Sequence, residues 1–386
     1  MNEREIEREM PAARSPQQSR SMTSRSKRTA RSDSSRRSSF FRYLTLGYTF
    51  LIAYASLYPF ADWKQVEGPL FNFVWAPWPH YYTLSDLALN VLAYMPFGFA
   101  LALAVLSFAP PTRAAILATL AGTLLSLSME SIQQFISTRV SSNLDLLTNG
   151  LGALTGSLVA ITLGERWLLS GRAYRWRDRT FLPGSTIDAG FVVLALWLFT
   201  QLNPDVWLFG NGELRGVVPA SMQFEFRPDA YRWLETGITC VNLAGLALLV
   251  RAMARRERSL MGPLFSLVMA ALALKGAGAM TLFRPGAGVP WLTPGSMLGI
   301  PLGIGVYLSL SSRSRSLVIL ASGLLLAAGL VLVNLAPENP YLAAWVRTWR
   351  HGHFLSFNGL TQFVAGAWPL CALLYLWQLW RAVIRR

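Results

Sequence analysis

Charged residues are scarce in this chain of 386 residues, since only 14% of them are Asp, Glu, Lys or Arg. A soluble domain usually carries about a quarter. Hydrophobic residues make up 53% of the chain and stand in long unbroken blocks. Because every backbone polar group inside lipid needs an internal partner, blocks of about 20 apolar residues must be helical. The sequence therefore excludes an ordinary soluble domain and predicts an all-α, polytopic integral membrane helical bundle.

Cysteine and histidine are also rare. Cys240 and Cys371 both lie in apolar blocks, which excludes a disulfide framework or a thiolate metal motif. His351 and His353 stand two residues apart, but a metal needs three or four ligands, so we interpret them as interfacial side chains. The sequence has no P-loop, dinucleotide, G-x-S-x-G or H-E-x-x-H motif. We therefore predict no cofactor and no metal, and we leave enzymatic activity open with a preference for a non-catalytic protein.

Acidic residues number 20 against 35 Lys and Arg, which gives a net charge of +15. The arginines cluster at the ends of apolar blocks, as the positive-inside rule predicts, so we expect no nucleic-acid partner. Residues 1–39 are rich in Arg and Ser and have few large apolar side chains. This composition predicts a disordered basic cytoplasmic tail that fixes topology or contacts anionic lipid headgroups.

Apolar blocks predict about ten transmembrane helices, near residues 40–60, 84–108, 114–136, 143–164, 187–203, 236–254, 262–283, 294–311, 315–335 and 359–380. With the N-terminus inside, alternation places the Arg-rich segments 165–186, 251–258 and 313–315 in the cytoplasm. We thus expect a multi-pass protein of the cell membrane with both termini cytoplasmic. Its predicted parts are the tail at 1–39, a four-helix domain at 40–164, an Arg-rich cytoplasmic loop at 165–186 and a second membrane domain of about six helices at 187–386.

Three consecutive spans each carry a carboxylate and an amide four residues apart. The pairs are Asp86 with Asn90, Glu130 with Gln134, and Asp145 with Asn149. The nearest cation is Arg139. Side chains at i and i+4 share one helix face, and the alternating span directions bring all three pairs near the outer leaflet. Ionisable groups in membranes face the bundle interior or water and pair with one another. The pattern predicts a polar pocket with Arg139 as counter-charge, and the alternative is a network that only fastens the helices.

Another intramembrane charge is Lys275, in the middle of the seventh predicted span. Intramembrane lysines usually face a cavity or a carboxylate. A functional role and a structural ion pair are both open for this residue.

Two sequence motifs contain these acid–amide pairs. They are D-x3-N-V-L-A-Y-M-P-F-G from Asp86 to Gly98 and E-x3-Q-x4-R-x5-D-x3-N-x2-G from Glu130 to Gly152. Together they resemble the VanZ-like family of membrane proteins. The resemblance covers about residues 44–162. It implies a role in the cell envelope at the bacterial inner membrane, in the context of low-level resistance to the glycopeptide teicoplanin or of exopolysaccharide genes. Envelope biosynthesis proteins would then be partners. Residues 187–386 have no counterpart in the compact form of the family.

Three functions remain open. The first, which we favour, is a non-catalytic protein that binds a glycan-linked or lipid-linked molecule at the outer side of the membrane, where amides and carboxylates suit sugar hydroxyls. The second is an intramembrane enzyme in which Glu130 or Asp145 is the general acid or base and Arg139 holds a phosphate. The third is a transporter with Lys275 in a proton or substrate path.

Overall fold

The computed structural model describes residues 40–58, 60–66, 68–80, 82, 84–163, 172–203, 206–212, 214, 219, 224–282, 291–337 and 355–384. These residues form eleven α-helices: α1 at 40–57, α2 Leu84–Val105, α3 Pro111–Gln133, α4 Asn143–Val159, α5 Arg172–Thr180, α6 Ser185–Thr200, α7 Pro228–Met253, α8 Met261–Leu282, α9 Pro294–Ser311, α10 Arg315–Leu335 and α11 Leu355–Ile384. A short 3-10 helix spans Asn72–Trp75. The described residues contain no strand, only isolated bridges. The predicted all-α class is confirmed.

Eight of the described helices are long and apolar enough to cross a membrane, namely α2, α3, α4, α7, α8, α9, α10 and α11. The chain is therefore a polytopic helical membrane protein. The first and fifth predicted spans correspond to α1 and α6, which are not among the eight, and α6 has only 16 residues. The count of ten stays a prediction, although both helices lie alongside the others in the bundle.

Arginine-rich segments that are far apart in sequence meet at one end of the bundle, which we call the arginine end. Arg177 at the end of α5 pairs with Asp188 at the start of α6. Arg255, after α7, donates its Nε–H to the carbonyl of Asp178 at 3.2 Å. Arg315, at the start of α10, donates to the carbonyl of Ala254 at 3.0 Å. The described part of the predicted loop 165–186 thus shares one end with the predicted loops 251–258 and 313–315, as alternating spans require.

The opposite end of the first four helices, which we call the polar end, joins the C-terminus of α1 to the α3–α4 connection. Lys64 donates its backbone N–H to the carbonyl of Phe135 at 2.7 Å, and Ser137 donates to Asp62 at 3.0 Å. Phe41 at the start of α1 instead packs with Leu103 and Ala118 near the far ends of α2 and α3. The side of the membrane that each end faces stays a prediction.

Helices α2 and α4 make their closest approach through glycines. A Cβ at Gly152 would overlap the carbonyl of Val91, and a Cβ at Gly156 would overlap the carbonyl of Met95. Gly98 of α2 lies in the same way against Ala153 of α4. Small residues four apart let two helix backbones touch in a membrane. This contact sets the spacing at which the polar side chains of α2 and α4 meet.

The second half packs around α7, whose residues from Leu243 to Val250 are all buried. Helices α9 and α10 pack on α7, while α6 and α10 pack on α11. Leu51 of α1 packs with Leu360 and Val364 of α11, which joins the first four helices to the second half. The proposed domain division at 165–186 stays a prediction.

Candidate functional site

Two of the predicted acid–amide pairs meet directly at the polar end. Asn90 of α2 donates from Nδ2 to Oδ1 of Asp145 on α4, at 2.8 Å. Ser142 is the N-cap of α4, because its Oγ accepts the backbone N–H groups of Leu144 at 3.1 Å and Asp145 at 3.3 Å. The carboxylate of Asp145 is therefore left to face α2, and the cap comes from the serine.

Glu130, near the end of α3, is 4% exposed. Its Oε2 accepts the backbone N–H of Ser142 at 2.9 Å, and its carbonyl accepts the hydroxyl of Ser141 at 2.5 Å. The residue thus ties the end of α3 to the start of α4. It also lies close enough to Asp145 for their charges to interact.

Arg139 directs its hydrogen bonds to α1. Its Nη2 donates to the carbonyls of Tyr58 at 2.9 Å and Ala55 at 3.2 Å. Carbonyls in the last turn of a helix have no partner within the helix, so the guanidinium caps α1. Burial lowers the pKa of Arg139, and the Glu130 carboxylate raises it. The charge of Glu130 therefore acts on Arg139, while these hydrogen bonds serve α1, and the counter-charge role stays a prediction.

Two predicted residues lie at the margin of this group. Gln134 donates from Nε2 to the carbonyl of Leu70, so it holds the segment between α1 and α2. Asp86 is exposed, although its charge still reaches Asp145. The structure therefore gathers Asn90, Glu130, Asp145 and Asn149 most closely, with Arg139 beside them.

The i, i+4 pattern also includes two residues with hydroxyl groups. Tyr94 follows Asn90 by four residues on α2, and Ser126 precedes Glu130 by four on α3. Asn149 donates from Nδ2 to Oγ of Ser126 at 2.9 Å. The charge of Glu130 also acts on Tyr94. These two uncharged residues were missed, and the same spacing that identified the acid–amide pairs was the signal that could have found them.

Two buried polar atoms of this group have no hydrogen-bond partner in the described part of the chain. They are the hydroxyl of Tyr94, a residue only 4% exposed, and Oδ1 of Asn149, a residue 6% exposed. The side chain of Ser126 lies close enough to the Tyr94 hydroxyl to interact with it, but the two do not form a hydrogen bond of acceptable geometry. Leaving a buried polar group unpaired costs about 1–3 kcal/mol. We call Asn90, Tyr94, Ser126, Glu130, Asp145 and Asn149 the polar cluster, and this cluster retains hydrogen-bonding capacity that its own side chains do not use.

An aromatic surface adjoins the polar cluster. Trp75 is 86% exposed, and Trp63, Trp78 and Tyr82 are exposed as well. Asn143 at the start of α4 donates from Nδ2 to the carbonyl of Ala76 at 2.6 Å. Since Gln134 holds Leu70 in the same way, the segment between α1 and α2 is fastened against the ends of α3 and α4.

Lys275 lies away from the polar cluster and is fully buried. Its ammonium donates to the carbonyl of Asn203 at 2.8 Å and to that of Val206. Both carbonyls follow the end of α6, so the lysine fastens α8 to the segment after α6. Both of these contacts are to backbone carbonyls, so the choice between a functional role and a structural ion pair stays a prediction. His351 and His353 lie outside the described residues.

The fold defines a polytopic helical membrane protein, and its helices α2, α3 and α4 carry the buried polar cluster, in which two atoms have no hydrogen-bond partner among the described residues. Residues 13–164, which is less than half of the chain, match the family model described as VanZ/LLP1. The resemblance of this segment to the VanZ-like family is thereby confirmed. Neither the search of curated proteins nor the search of solved structures found a match.

Proposed function

We propose that the polar cluster binds the hydroxyl-bearing headgroup of a glycan-linked or lipid-linked envelope molecule at the outer side of the membrane. The observation that carries this proposal is the pair of unpaired buried atoms, Tyr94 Oη and Asn149 Oδ1. The first donates or accepts a hydrogen bond and the second accepts one. A sugar hydroxyl can do both, so a single hydroxyl group is able to satisfy either atom.

The positions of these two atoms along their helices agree with the same class of ligand. A helix rises about 1.5 Å per residue, so Tyr94 lies roughly 15 Å along α2 from its first residue, Leu84. Asn149 lies about 9 Å along α4 from Asn143 by the same rise. A headgroup that reaches both atoms must enter between the helices, while an attached lipid tail stays in the bilayer.

The exposed aromatic side chains near the polar end support an amphiphilic partner. Tryptophan and tyrosine combine a large apolar body with one polar atom, which suits both the membrane interface and the face of a sugar ring. The family match over residues 13–164 agrees with a role in the cell envelope. We propose glycopeptide resistance or exopolysaccharide handling at the bacterial inner membrane as its context, with envelope biosynthesis proteins as partners.

The test uses the purified full-length protein in an uncharged detergent without a sugar headgroup. A polyprenyl pyrophosphate carrying a disaccharide is titrated, and the same polyprenyl pyrophosphate without sugar is the control. We expect the glycan-bearing compound alone to raise the thermal midpoint in a saturable manner, because a ligand that binds only the folded state stabilises it. Equal effects of the two compounds would contradict recognition of the glycan.

Glu130→Gln separates binding from catalysis. The amide retains an oxygen that accepts the N–H of Ser142, so the fold should persist and a binding protein should keep much of its affinity. An enzyme that uses Glu130 as general acid or base should lose turnover of the glycan-bearing compound by about 100-fold or more. In cells, a catalytic role predicts that Glu130→Gln changes teicoplanin susceptibility at unchanged protein level, whereas a binding role predicts little change.

A further inference from the structure

A second polar feature lies at the arginine end, in the half of the chain that the family match does not cover. A cavity of about 230 Å³ opens between the end of α7, the α9–α10 turn and the end of α11. Four arginines line it, namely Arg251, Arg256, Arg313 and Arg315. None of the described residues in its lining is acidic. The cavity is therefore a concentration of positive charge with no carboxylate in the described wall.

Two of these arginines form the frame of the cavity. Arg251 donates to the carbonyls of Ser311 at 3.3 Å, Arg256 at 2.6 Å and Arg258 at 3.1 Å. These bonds hold the α7–α8 loop against the end of α9. Arg315 donates to the carbonyl of Ala254 at 3.0 Å and so holds the start of α10 to the same loop. The two guanidinium groups keep their charge while their geometry is set by backbone contacts.

The other two arginines keep their donors available. The side chains of Arg256 and Arg313 are exposed, and neither makes a hydrogen bond or ion pair with any described residue. Each guanidinium offers five N–H donors in a planar fork that matches two oxygens of one phosphate. Glu257 stands next to Arg256 in the chain but does not line the cavity. Four like charges around one cavity repel one another unless an anion lies between them.

We propose that this cavity binds a phosphate group, and that the group belongs to the headgroup of an anionic phospholipid. The cavity lies where the spans α7, α9 and α10 end, which is the level of lipid headgroups. Basic pockets between membrane helices bind such headgroups. Val318 and Val383 supply an apolar part of the wall beside the arginines. Free phosphate shares the chemistry but lacks the apolar tail, and experiment separates the two.

The experiment compares three probes on the purified full-length protein in an uncharged detergent. They are phosphatidylglycerol, an uncharged diacylglycerol of the same chain length, and inorganic phosphate. Native mass spectrometry counts bound lipid, and the thermal midpoint reports binding of each probe. We expect saturable binding of phosphatidylglycerol and none of diacylglycerol. Saturable binding of inorganic phosphate with equal affinity would support the phosphate site but overturn its assignment to a lipid.

The double variant Arg256→Gln/Arg313→Gln tests the location. Each arginine near an anionic headgroup contributes about a factor of five, so two together should weaken binding about thirtyfold. The matched control Arg113→Gln/Arg179→Gln removes the same charge from two exposed arginines that do not line the cavity, and we expect binding to weaken by less than about threefold. The single variant Arg313→Gln, with an expected loss of about fivefold, keeps the test open if the double variant fails to fold. Equal losses in the double variant and its control would overturn the site.

Discussion

Replacing Tyr94 by Phe removes one hydroxyl from the polar cluster and leaves the ring in place. Because this hydroxyl is buried and makes no hydrogen bond of acceptable geometry in the described part of the chain, its removal loses at most a weak contact with Ser126. An unpaired buried polar group costs about 1–3 kcal/mol, so the ligand-free protein should gain up to that amount in free energy of unfolding. Ser126→Ala is the opposite case, because Ser126 accepts the amide of Asn149 at 2.9 Å and its loss should destabilise the protein.

Ligand binding should change in the other direction. A hydrogen bond from a sugar hydroxyl to Tyr94 contributes about 0.5–1.5 kcal/mol, so Tyr94→Phe should weaken binding of the disaccharide-bearing polyprenyl compound by about two- to tenfold. The measurement pairs unfolding in detergent with titration of that compound. Greater stability together with weaker binding is the signature of a binding site, since a simple fastener would lose stability.

The chain supplies a matched control for this substitution in Tyr375 of α11. Its hydroxyl is also buried and has no partner among the described residues, and its side chain is likewise 4% exposed. Tyr375 lies beside Gly190 in the second half, remote from the polar cluster. Tyr375→Phe should therefore raise stability similarly and leave binding unchanged. The reasoning is refuted if Tyr94→Phe destabilises the protein as much as Ser126→Ala, or if it binds the compound as tightly as Tyr375→Phe does.

Three further predictions concern the rest of the fold. Lys275→Met should lower the free energy of unfolding by about 2–6 kcal/mol, measured in detergent, because it removes the ammonium that donates to two carbonyls; an unchanged stability would show that other donors replace the lysine. Gly156→Ala should reduce the amount of folded protein recovered from membranes, because the new Cβ meets the carbonyl of Met95, whereas Gly262→Ala, at a position with open space around it, should not. A reporter inserted after Arg256 should report the cytoplasm and one inserted after Trp78 the far side, and signals from the same side would contradict alternating spans.

The class of the protein and the composition of its candidate site could be predicted because each depends on local patterns. Apolar blocks specify helices wherever backbone groups have no water to bind, and eight of the predicted spans are found as helices of sufficient length. The pairs at i and i+4 could be read directly, since a helix places such residues on one face. Asn90 does contact Asp145, which the shared depth of the pairs anticipated.

The partners of individual side chains could not be predicted in the same way. Arg139 was expected beside the carboxylates, and no pattern in the sequence indicated that it also donates hydrogen bonds to the last turn of α1. A helix end presents several carbonyls that need donors, and only the packed structure shows which cation is nearest to them. Tyr94 and Ser126 were missed because the pattern consisted of carboxylates and amides, whereas each of these two residues carries a hydroxyl group.

The sequence by itself determined that the chain is a helical membrane protein with acid–amide pairs at one level, because hydropathy and helical period act over a few neighbouring residues. Tertiary structure alone decided which polar atoms are paired and which are left over. It also decided that arginines from the α7–α8 loop and the α9–α10 turn surround one cavity. Both outcomes depend on helix spacing, which the glycine contacts of α2 and α4 and the packing around α7 fix over distances that no local pattern encodes.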